Sequence, residues 1–167
     1  MHPLSSPVRE HRFLGRTEMA IGMVFIIIAA ALYPLDAFVG LVIVTPVLSG
    51  LLYLVAFRRV AQQAADHASP APTMEREDPS AFRRRVTAPL VAQVVVYLLL
   101  TATTRAPGLL GGIALGLGIA LTLTARWLER WENAHDTGLL RAPRTRGTGY
   151  YVAVGSKRAA APDANDA

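Results

Sequence analysis

The chain has 167 residues, 52% of them hydrophobic, a formal charge of +5 and no cysteine. Disulfides, thiolate catalysis and thiolate metal sites are therefore excluded. In a soluble protein the charge would suggest a nucleic-acid partner, but here no nucleic acid is expected, because sixteen of the seventeen basic residues stand in three blocks between long uncharged runs.

Those runs are Met19 to Leu35, Ala37 to Phe57, Val86 to Thr104 and Ala106 to Ala125, of 17, 21, 19 and 20 residues. About 20 apolar residues cross a hydrocarbon core of roughly 30 Å. None of the runs has the polar face that a soluble helix needs. The expected fold is an all-α integral membrane protein with four transmembrane helices arranged as two hairpins. The expected segments are 1–17, an N-terminal flank; 18–57, the first hairpin; 58–85, a central loop; 86–125, the second hairpin; and 126–167, a helical extension and partly disordered tail.

The first ten residues are expected to be loose, since Pro3 and Pro7 argue against helix. Arg9, Arg12 and Arg16 follow. Span one runs from about Glu18 to Tyr33, with Glu18 at its inner edge. It reads as half of a hairpin rather than a cleaved leader. Pro34 ends it, and Asp36 is placed to cap span two. Within span two, Pro46 removes a backbone hydrogen bond and predicts a kink beside Thr45.

The central loop carries Arg58, Arg59, Arg76, Arg83, Arg84 and Arg85. RRVAQQAADHA continues the helix, and Ser69 to Ser80 form a polar, proline-rich linker. Glu75, Glu77 and Asp78 read as a solvated charge run. Ser80 is placed to cap the third helix. Gln93 is the most polar side chain within a span, with Tyr97 and Thr101 on the same stripe at i+4 and i+8. Such a stripe lines a polar pathway or supplies one interhelical hydrogen bond. At the outer turns, Asp36 and Arg105 either pair across the two hairpins or are solvated.

Span four is rich in glycine, which costs about 1 kcal/mol per interior helical position in water. Gly108, Gly112, Gly116 and Ala120 recur every four residues. In lipid, where no hydrophobic force drives helices together, such a stripe lets two backbones approach closely. Its partner is another helix of the fold, a second copy or a different protein. Gly22, Gly40, Thr45, Ser49 and Gly50 offer small surfaces to receive it. Trp127 and Trp131, interleaved with Arg126 and Arg130, form an interfacial anchor. The helix is expected to stop at Gly138. Residues Tyr150 to Val154 suggest a short strand or a docking segment.

Basic residues gather on the cytoplasmic side. Both termini and the central loop are therefore expected to be cytoplasmic, with the short turns outside, in a multi-pass protein of the cell membrane. His2, His11, His67 and His135 are scattered without metal spacing, and no cofactor, metal or catalytic set is expected. The partners expected are the lipid bilayer and either a membrane protein or a second copy meeting helix four. These features suggest a non-catalytic accessory or scaffold subunit of a membrane complex. The alternative is a small homo-oligomeric transporter or channel, and a lipid-directed enzyme would lack any named catalytic set.

Overall fold

The computed structural model describes residues 6–32, 35–66, 68–70, 78–104, 107–141 and 151–155. Four helices dominate: α1 (Pro7–Leu32), α2 (Leu35–Asp66), α3 (Pro79–Thr104) and α4 (Pro107–His135). All four are long and apolar enough to cross a membrane. The described residues also include three short strands: β1 (Ser69–Pro70), β2 (Thr137–Arg141) and β3 (Tyr151–Gly155). The turn at Pro34, Arg105 and its proposed pairing, Glu75, Glu77, Tyr150 and the last twelve residues lie outside the described residues.

Proline starts helices here as well as interrupting one. α1 begins at Pro7, far earlier than the loose N-terminal segment expected. Its 26 residues span about 39 Å at 1.5 Å per residue. The first helical position needs no backbone N–H donor, and proline's fixed φ suits it. Ser6 caps the helix, its hydroxyl accepting the Arg9 amide at 3.4 Å and its carbonyl the Glu10 amide at 3.0 Å. α3 repeats the device with Asp78 before Pro79. Asp78, and not Ser80, is the cap: its carbonyl accepts the Phe82 amide at 3.0 Å, and its carboxylate accepts the Ser80 hydroxyl and the amides of Ser80 and Ala81. α2 continues unbroken past Arg58 and Arg59 and contains Pro46. The Ser49 hydroxyl donates to the Pro46 carbonyl at 3.3 Å.

At the far end of α4 the left-handed residue is Asp136, with φ 46°. Gly138, expected as the helix stop, lies inside β2. The sheet has the order β1-β3-β2. β2 and β3 are antiparallel, with Leu139 opposite Ala153, and β1 runs parallel to β3 with Ser69 opposite Val152. The strand suggested around Tyr150 to Val154 is thus β3, one residue further along.

The helices alternate in direction. α1 runs antiparallel to α4, with Gly22 against Gly111 and Gly15 against Gly118. α2 runs parallel to α4, with Thr45 at Gly112 and Gly50 at Gly116. α4 therefore lies between α1 and α2, which barely touch one another. The hairpins hold as connectivity, while the tight packing runs across them. α3 stands outside this trio, parallel to α1. Its Phe82, Val86 and Leu90 pack with Leu14.

The arginine-rich ends of all four helices gather at one end of the bundle. There Val8 of α1, Ala65 of α2, Leu128 of α4 and Leu139 of β2 form a small core. Glu132 fastens the sheet to α4, its carboxylate accepting the Leu139 amide at 2.8 Å.

Candidate intramembrane polar site

The buried stripe of α1 is Gly15, Glu18, Gly22, Phe25 and Ala29. Its three- and four-residue steps place all five on one helix face. Two of them are the glycines against which α4 packs, so Glu18 is carried inward by the same geometry that brings the two backbones together. Glu18 is only 3% exposed. α1 starts at Pro7, so Glu18, at the edge of the uncharged run, is nevertheless the twelfth residue of a continuous helix. The Gly15 and Gly22 spacing on either side of Glu18 is the signal in the sequence that could have found it.

α3 meets α1 in a constant register. Arg85 reaches Glu10, and eight residues further on Gln93 reaches Glu18. The Gln93 amide nitrogen donates to the Glu18 carboxylate at 3.1 Å and to the Tyr97 hydroxyl oxygen at 3.0 Å. Both of its N–H groups are thus used. Tyr97 sets its ring edge-on to Phe25, with centroids 5.8 Å apart and planes at 90°. One turn further, the Thr101 hydroxyl oxygen is buried and has no hydrogen-bond partner among the described residues.

This brings together the expected stripe Gln93, Tyr97 and Thr101 and adds a carboxylate. Among the described residues no arginine or lysine lies within ion-pair distance of Glu18. Its partner is a neutral amide. The arrangement is a buried ionisable group held by a neutral donor, with further hydroxyls along the same stripe of α3. Arg85 and Glu10, in contrast, pair loosely at 3.5 Å at the polar end. There α1 and α4 are also bridged by Arg12 and Glu129 at 2.8 Å, both well exposed.

The other expected residues occupy different places. Gly112 faces Thr45 and Pro46, and Gly116 faces Pro46 and Ser49 of α2; Gly108 and Ala120 are buried on α4. The same helix has a second small face, Gly111 and Gly118, turned to α1. Its seven-residue spacing matches Gly15 and Gly22, a pattern that the four-residue reading passed over. Arg126 and Arg130 are exposed. Trp127 and Trp131 lean on the small core at the arginine end, and Trp131 stacks on His135 at 4.1 Å.

Outside the spans, the Asp78 carboxyl is held below the ordinary carboxylate range, chiefly by the Ser80 hydroxyl and further by the amides it caps. No protein-family model, curated protein or solved structure matches the chain.

Proposed function

We propose that the protein is a non-catalytic accessory or scaffold subunit of a membrane complex, seated in the cell membrane with its arginine-rich end and both termini in the cytoplasm. The observation that carries this reading is the unequal enclosure of the helices. In α4, 61% of the most apolar stretch is buried within the chain, against 6% in α3 and 12% in α2. The small faces of α4 are taken up by α1 and α2, and the two least enclosed helices, α2 and α3, are the ones we assign to another membrane protein. Val91, Val95, Leu98 and Leu99 of α3 are all exposed. This moves the expected association from helix four to the opposite flank. Extraction of the tagged full chain in mild detergent tests the reading. Stoichiometric foreign subunits, cross-linked through a cysteine at Val95 and not through one at Ala114, are expected. A protein that stays monomeric and partner-free in native lipid would end it.

The alternative, a small homo-oligomeric transporter or channel, is favoured by Glu18, Gln93 and Tyr97. On that reading Gln93→Leu abolishes flux in liposomes, and unchanged flux removes the path through this site.

A further inference from the structure

A cleft of about 420 Å³ opens at the arginine end between α1, α3 and α4. Arg9, Arg12 and Arg16 enter it from α1, at helical steps of three and four that put them on one side. Arg83 enters from α3. The wall includes Phe13 and Phe82, whose rings meet edge to face at 5.9 Å.

The charges here do not cancel. Four arginines face two glutamates. Glu129 is engaged by Arg12 at 2.8 Å, and Glu132 accepts the Leu139 amide at 2.8 Å. Arg9 lies over the Phe82 ring, 5.1 Å from its centroid, which steadies its guanidinium plane without neutralising it. Arg16 and Arg83 have no carboxylate partner among the described residues. Each guanidinium presents a donor fork that matches phosphate oxygens, and four of them line this one cleft. Their level matters too. Arg16 stands three positions before the uncharged run that starts at Met19, which is where lipid headgroups meet the hydrocarbon.

We propose that this cleft binds a phosphate group, supplied by an anionic phospholipid whose headgroup sits among Arg9, Arg16 and Arg83. A net-negative headgroup is favoured over a zwitterionic one, because the latter brings its own cation beside the arginines. The site does not depend on whether the protein is a scaffold or a transporter.

The test uses the delipidated full chain in detergent micelles doped with phosphatidylglycerol or phosphatidylcholine. A third arm uses inorganic phosphate at matched ionic strength. Bound lipid is counted by native mass spectrometry. Phosphatidylglycerol is expected to bind about tenfold more tightly than phosphatidylcholine, and the double variant Arg16→Gln with Arg83→Gln should erase that preference. Arg58→Gln with Arg59→Gln removes equal charge outside the cleft and should leave the preference intact. Arg16→Lys with Arg83→Lys keeps the charge but not the fork, and should fall between. Saturable inorganic phosphate binding, lost in the first double variant, would support the phosphate site while assigning its ligand to solution. Equal loss in both glutamine pairs, or no preference in the native chain, would overturn the proposal.

Discussion

Gln93 has more to hold than a polar residue on a largely exposed helix. Its amide is shared between the carboxylate of α1 and the hydroxyl of its own helix. Leucine at this position would leave Glu18 without its donor inside the bundle. A hydrogen bond contributes about 0.5–1.5 kcal/mol net, and an orphaned buried polar group costs about 1–3 kcal/mol. Gln93→Leu should therefore lower unfolding stability in detergent by about 1–3 kcal/mol, read from a denaturant titration. No change would mean that water replaces the amide. Asp78 governs a different dependence, on pH. Its folded-state pKa is depressed by the groups it caps. The stabilisation is thus complete above the ordinary carboxylate range and is lost as pH falls through the depressed value. Amide protection at Ser80 and Ala81 should persist at mildly acidic pH and fade only in stronger acid. Asp78→Ala should remove the protection at every pH, and loss in the native chain at neutral pH would contradict the sign.

Among the elements, α4 is specified by the absence of side chains on two faces. A Cβ at Gly118 would lie 2.6 Å from the Met19 nitrogen and 2.7 Å from the Gly15 carbonyl oxygen. At Gly22 it would lie 2.6 Å from the Leu115 nitrogen. These are backbone atoms and cannot rotate away, so α1 and α4 must separate. At Gly116 a Cβ would collide with the Ser49 hydroxyl and the Pro46 carbonyl, whereas at Gly50 the nearest atom is 3.1 Å away. Alanine at 22, 116 or 118 should each cost about 1–3 kcal/mol, and alanine at 50 distinctly less. Thermal unfolding of the four variants in one detergent checks the order. If Gly50→Ala is as harmful as the others, the close approach is not what sets stability. The spans themselves were legible, because a helix-length run without a single charge suits a bilayer and has no polar face to offer water. The early start of α1 was not, because Pro7 and Pro79 look like breakers until they are seen at first helical positions. The four-residue glycine stripe was also visible, but the seven-residue one needed its complement on α1 to acquire meaning.

For the whole molecule, the sequence yields the number of long apolar helices and their alternation but not which of them pack together. Uncharged runs say where the chain crosses and are silent on neighbours. The sheet was only partly foreseeable, since the two residues of β1 carry no pattern and depend on a partner more than eighty positions away. Orientation is a whole-molecule prediction, and the lack of native cysteine makes it simple to test. A single cysteine at Arg130 should react with a membrane-impermeant thiol reagent only after cells are opened. One at position 33 or 34 should react in intact cells. The reverse pattern would invert the assignment drawn from the arginines.

The antiparallel glycine faces of α1 and α4 have a consequence for the order in which the protein is made. Gly15 and Gly22 belong to α1, made well before Gly111 and Gly118 of α4. At about 5–20 residues per second, roughly ten seconds separate them. Throughout that interval the glycine face of α1 lacks its companion, while Glu18 waits a shorter time, until Gln93 of α3 has been made. Whatever shelters α1 then, at the insertion machinery or beside it, must release that face when α4 emerges and slides between the two helices already in place.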